Sequence, residues 1–132
     1  MKVVKLAELE DSDRQVKSPD GWTSYRFLLA KDGMGFSFHE TVFPPGLEFQ
    51  MWYKHHVEAV YCYSGNGTLT DLETNNTYTI EPGTLYALDK HDRHILRAET
   101  ELRLICAFNP PVTGREIHDE DGAYALPESE QS

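Results

Sequence analysis

Between residues 25 and 108 the chain is a succession of short apolar runs, none long enough for an ordinary helix and each cut off by turn-forming residues. The runs Tyr25–Leu29, Gly35–Phe43, Val57–Tyr63, Thr77–Ile80, Thr84–Leu88, His94–Leu96 and Leu102–Phe108 are rich in aromatic and β-branched side chains. Such residues fit a pleated, half-buried surface, so these runs predict strands. Pro44–Pro45–Gly46, Ser64–Gly67, Asn75–Asn76, Pro82–Gly83 and Pro110–Pro111 supply the turns between them. Strands at this spacing predict a sandwich or a barrel. Helix is sparse, with one turn expected over Leu6–Glu10. A chain of 132 residues forms one core of ordinary size, with a single domain expected over residues 1–126 and a polar, disordered tail over 127–132.

Two stretches keep fixed intervals. In the first, Gly46 is followed after eleven residues by Glu58, and after six more by Gly65; in the second, Gly83 is followed after ten residues by His94. These are the intervals of the two motifs of the cupins, proteins built as a double-stranded β-helix barrel or jelly roll. The chain resembles that fold, but unevenly. Trp52 and Lys54 occupy two slots that hold His in the first motif, and Asp89 and His91 replace Pro and Gly in the second. Glu58 and His94 alone remain as the usual metal ligands. The count matters because successive strand residues face opposite sides, and a slip of one would turn a ligand outward. A carboxylate set among Val57, Ala59 and Val60 is costly to bury without a metal or hydrogen bonds. Losing the two His also disfavours oxygen chemistry, which calls for two His and one carboxylate around an open metal.

Four segments sharpen the resemblance. DGWTSYRF from Asp20, YKHHVEAVYC from Tyr53, PGTLYALDKHDRH from Pro82 and FNPPVTGREIHDEDGAYA from Phe108 are similar to the ectoine synthase family of the cupins. That resemblance implies an all-β cupin barrel and a carbon–oxygen lyase that closes N-γ-acetyl-L-2,4-diaminobutyrate into ectoine with loss of water. It implies a metal held by Glu58, Tyr86 and His94. Two ligands are too few for a catalytic metal, yet judged by its neighbours alone Tyr86 is a core residue; only the resemblance makes it the third. The mixed oxygen and nitrogen donors suit Fe(II), with Zn or Mn as substitutes, and the resemblance favours iron. It further implies substrate contacts at Trp22, Arg26, Thr41, Tyr53, His56, Cys106, Phe108, Glu116 and His118, with Tyr53, His56 and Glu116 as candidates for proton transfer. A homodimer is implied too, with a strand near Val3–Leu6 taking part.

Other features of the chain narrow its surroundings. A formal charge of -10 and a pI near 4.9 argue against nucleic acid, whose phosphates need clustered Lys and Arg. No apolar run reaches about 18 residues and no basic-then-apolar leader follows Met1, so neither a membrane span nor a secretory signal is expected, and the cytoplasm is the expected compartment. Cys62 and Cys106 are expected as free, buried thiols. His55 and His56 are neighbours and should point apart, with His56 inward. His39 lies two residues before Thr41 and so on its face, which makes it a further pocket candidate. Two readings of other classes stand beside the synthase: a non-catalytic cupin that binds a small molecule, and a different metal-dependent cupin lyase or isomerase.

Overall fold

The computed structural model describes residues 1–114. Helix α1 (Leu6–Leu9) precedes ten strands: β1 (Gln15–Lys17), β2 (Thr23–Leu28), β3 (Ser37–Phe43), β4 (Glu48–Met51), β5 (Val57–Ser64), β6 (Gly67–Asp71), β7 (Thr77–Ile80), β8 (Leu85–Leu88), β9 (His94–Ala98) and β10 (Leu102–Asn109). One 3-10 turn, Ala30–Asp32, joins β2 to β3. The tail expected over 127–132, and the end of the domain at 126, lie outside the described residues.

The strands form a six-stranded sheet in the order β1-β2-β3-β10-β5-β8 and a four-stranded sheet in the order β4-β9-β6-β7. All pairings are antiparallel. Strict alternation explains the packing. On β10 Leu102, Leu104, Cys106 and Phe108 are buried, and on β5 Glu58, Val60 and Cys62. Leu69, Ile80, Leu96 and Ala98 meet them from the smaller sheet. The core therefore lies between the two sheets, as the cupin reading requires.

Seven of the strands coincide with the runs read from the sequence, to within a few residues at their ends, and α1 is the expected single turn. The expected strand at Val3–Leu6 does not form in the isolated chain. Residues 1–5 carry no regular structure, and the Glu8 carboxylate accepts a hydrogen bond from the Lys5 backbone N–H at 3.3 Å, which starts a helix at Leu6. Residues 52–56 form the loop between β4 and β5, which leaves His55 exposed and His56 buried, as expected.

Gly65 fixes the tight β5–β6 connection. Its φ is +92°, and a Cβ there would stand 1.9 Å from the Glu101 carbonyl oxygen, so only glycine lets these backbones approach. On the outer face of the larger sheet Glu40 is buried by partners: Tyr63 donates its hydroxyl at 2.6 Å and Arg103 a guanidinium N–H at 3.2 Å.

Candidate metal and substrate site

The register of the six-stranded sheet assembles the site. Arg26 pairs with His39, His39 with Cys106, Cys106 with Val60 and Val60 with Tyr86. One row of inward side chains thus crosses five strands. In the next row Ser37, Phe108, Glu58 and Leu88 are paired in the same way. His94 faces these rows from β9 of the other sheet, paired with Met51 and Asp71. Its ring centroid lies 6.4 Å from that of Tyr86 and 6.1 Å from that of Tyr53. A cavity of about 30 Å³ remains inside the barrel, lined among others by Thr41, Tyr53, Glu58, Tyr86, Cys106 and Phe108.

Burial dominates the electrostatics here. It pushes the Glu58 carboxyl up to about 8 against a weak opposing hydrogen bond from the Cys106 thiol. The Tyr86 phenol rises well above its ordinary 10, through burial first and then the negative charge of Glu58. Burial lowers His94 below 6.5, so its imidazole is neutral. The His94 Nδ1 lies 2.9 Å from the Asp92 carbonyl oxygen, to which it donates. Its Nε2 is buried with no hydrogen-bond partner among the described residues. An oriented imidazole with a bare Nε2 is the usual state of a histidine prepared for a metal.

These residues fit a divalent metal. Glu58 carries a carboxyl that is expensive to ionise in place, Tyr86 an oxygen donor and His94 an unshared nitrogen, and a cation among them would offset the cost of burying all three. No trio of His, Cys, Asp and Glu able to hold a metal occurs among the described residues. Among the described residues a third donor beside Glu58 and His94 would have to be of another residue type, and the Tyr86 phenol carries an oxygen of that kind. Trp52 and Lys54, in the two missing His slots, form a cation–π stack, with Lys54 Nζ 5.0 Å from the ring centroid.

Around this centre most of the expected substrate residues come together. Trp22, Arg26, Tyr53, His56, Cys106 and Phe108 are all buried. Phe108 is their hub, with its ring centroid 5.2 Å from Tyr53, 5.8 Å from His56 and 5.2 Å from His39. Thr41 Oγ1 and Cys106 Sγ are 3.5 Å apart. His56 Nδ1 contacts the Pro110 carbonyl oxygen at 2.8 Å, while His55 is exposed. Arg26 donates to the Gly114 carbonyl oxygen and, from Nε at 3.3 Å, to Ser24. Glu116 and His118 lie outside the described residues. Both cysteines are free and buried.

One positioning residue carries a signal that went unread. His91 fills the slot where the second motif has Gly, and its φ of +53° is the left-handed backbone that favours glycine. Its Nδ1–H is shared between the carbonyl oxygens of Tyr53, at 2.8 Å, and His56, at 3.1 Å. A side chain thus pins the loop that delivers both residues to the site.

The sequence profile of the family described as ectoine synthase matches residues 1–128. The chain belongs to the ectoine synthase family. It is 60% identical over 131 residues to the L-ectoine synthase of Alkalilimnicola ehrlichii, covering 98% of each chain. It is 48% identical over 130 residues to that of Halalkalibacterium halodurans, covering 98% of this chain and all of the relative. Among solved structures, the ectoine synthase from P. lautus superposes with a TM-score of 0.85 at 45% identity, over 97% of this chain and 94% of that one. A polyketide cyclase from Streptomyces resistomycificus, 15% identical with a TM-score of 0.69 over 92% and 89% of the two chains, shares the fold. The jelly-roll cupin fold is thereby established for this ectoine synthase family member.

Proposed function

We propose that this chain forms ectoine by closing N-γ-acetyl-L-2,4-diaminobutyrate on itself at a metal held by Glu58, Tyr86 and His94. Ectoine synthesis is the activity of its family, and the enzyme is a metal-dependent hydro-lyase. The observation that carries the site assignment is the pairing of a buried Glu58 carboxyl with a bare His94 Nε2 on facing sheets, with Tyr86 beside both. The donor set favours iron(II), with zinc or manganese as substitutes. A divalent ion bound there supplies Lewis acidity toward the acetamide oxygen.

The protein side of the reaction follows from the surrounding residues. The α-amine nitrogen attacks the acetamide carbon, a six-membered ring closes, and the carbonyl oxygen leaves as water with the amine protons. Arg26 anchors the α-carboxylate through its guanidinium. Trp22 and Phe108 are walls that exclude bulk water, which would drive the reverse hydrolysis. Thr41 and Cys106 line the same space. Tyr53, His56 and Glu116 are the groups assigned to proton transfer, since the attacking amine must be neutral; Glu116 and His118 are further substrate contacts carried over from the family resemblance. Ring closure needs a folded substrate with nitrogen and carbon about 3 to 3.5 Å apart.

The exposed Val57, Tyr61, Tyr63 and Leu85 on the outer face of the larger sheet support a homodimer. No helix among the described residues is long and apolar enough to cross a membrane, and the acidic charge argues against nucleic-acid partners; the cytoplasm remains the proposed compartment. The function is tested by incubating iron-loaded protein with the acetylated diamine and separating products by chromatography. Ectoine should accumulate with metal and not without it; unchanged substrate in both would leave a non-catalytic binding cupin as the better reading.

A further inference from the structure

His91 is exposed, and its backbone stands at φ +53°, where every side chain but glycine's is strained. Strain of this kind persists only where the surroundings hold it, and it gathers at sites where function uses it. What holds it here is the ring. Nδ1 faces the carbonyl oxygens of Tyr53 at 2.8 Å and His56 at 3.1 Å; both are acceptors, so Nδ1 carries the proton and donates to the pair. Those carbonyls belong to residues 52–56, which lie outside any strand and so are not fixed by a ladder as the rest of the barrel is. Yet the side chains they carry are 3% and 0% exposed, with the Tyr53 ring centroid 6.1 Å from that of His94 and the His56 centroid 5.8 Å from that of Phe108. A second tie runs beside the first. Arg93 Cζ lies 5.4 Å from the Trp52 ring centroid, and Arg93 is held in turn by Glu73 at 2.8 Å. Between the two ties sits Asp92, whose carbonyl oxygen accepts the Nδ1–H of His94. One short segment thus orients an imidazole of the metal site and the loop that carries Tyr53 and His56.

The two parts have to agree in position. A proton-transfer group works only within about 2.6–3.2 Å of the group it serves, and a displacement of about 1 Å can cost about a hundredfold in rate. Given the proton-transfer roles proposed above for Tyr53 and His56, we infer that His91 is a positioning residue for ring closure. It sets how far these two groups stand from the reacting amine by fixing their backbone against the segment that leads into His94. It acts through the loop and takes no part in the bonds made or broken. Glycine in its place would relieve the backbone and release the loop. Asparagine tolerates left-handed backbone and carries an amide N–H where the imidazole has its Nδ1–H, so it would keep both the turn and the tie.

The test compares His91→Gly and His91→Asn with the wild type by steady-state kinetics, metal content, thermal midpoint and amide hydrogen exchange of residues 53–57. In His91→Gly kcat should fall about tenfold or more, with KM changed by less than about threefold because the α-carboxylate anchor lies elsewhere. Metal content should hold, and the thermal midpoint should change little, since the lost hydrogen bond and the relieved strain offset each other. Exchange in the loop should quicken in the substrate-free protein. His91→Asn should recover most of kcat and of the protection. If His91 acts through the loop, His91→Gly should cost much less when Tyr53→Phe or His56→Gln has already removed the group it places. Wild-type kcat in His91→Gly would overturn the inference, as would an equal loss in both of those backgrounds, or a loss of metal or thermal midpoint that accounts for the effect and that Asn does not repair. A wild type that makes no ectoine would refute the reaction instead, and the tie would then stand or fall on loop exchange, with unchanged exchange in His91→Gly overturning it.

Discussion

Metal binding at Glu58, Tyr86 and His94 should release a countable number of protons. A carboxyl raised to about 8 is roughly nine-tenths protonated at pH 7, because one pH unit is a tenfold ratio. The Tyr86 phenol, held well above 10, is protonated throughout. His94, lowered below 6.5, is neutral at pH 7 and gives up nothing. Ligands coordinate in their deprotonated forms, so loading metal-free protein should release about two protons at pH 7 and about one at pH 9, where Glu58 is already ionised. Titration calorimetry with zinc, in two buffers of different ionisation enthalpy, reads this number directly. Tyr86→Phe should release about one proton fewer at pH 7 and bind far more weakly. The sign on stability follows from the same shift: Glu58 is raised in the fold, so metal-free protein is most stable below about pH 4.5 with respect to this group and loses that contribution as pH rises through about 8. A release near one at pH 7, equal in wild type and Tyr86→Phe, would refute the phenolate ligand.

The remaining predictions concern the wall and the frame. Tyr53→Phe should lower kcat about 10²-fold with metal retained, the scale of general acid–base work; a near-normal kcat moves proton transfer to His56 or Glu116. Arg26→Lys should raise KM with little change in kcat, because an ammonium cannot reproduce the bidentate grip on a carboxylate, and a kcat loss at unchanged KM would contradict an anchoring role. Gly65→Ala should destabilise the fold by about 1–3 kcal/mol or more through its left-handed backbone alone, with a further clash against Glu101; an unchanged thermal midpoint would contradict that geometry.

The strands that were legible are those whose residues are aromatic or β-branched and buried on one face, such as Val57–Ser64 and Leu102–Asn109. The strands Gln15–Lys17, Glu48–Met51 and Gly67–Asp71 were not, because their residues are polar, small or half-exposed and pairing with neighbours, rather than propensity, makes them strands. Glu58 and His94 could be read because intervals between motif glycines encode which face of a strand a residue takes. Tyr86 could not, since an aromatic in Leu85–Leu88 looks like any core residue, and only kinship marks it. His91 left a trace in its glycine slot, but what its ring does depends on a loop 35 and 38 residues away. His39 was legible as a pocket candidate from its spacing to Thr41, whereas its buried Nε2 without a partner among the described residues exists only in three dimensions.

Anomalous diffraction from crystals soaked with iron(II) under anaerobic conditions tests the central claim most directly. A single strong peak should lie about 2.0–2.3 Å from a Glu58 carboxylate oxygen, the Tyr86 phenol oxygen and His94 Nε2, and disappear in Glu58→Ala. A peak bound elsewhere, or one that leaves Tyr86 beyond bonding distance, would contradict the account.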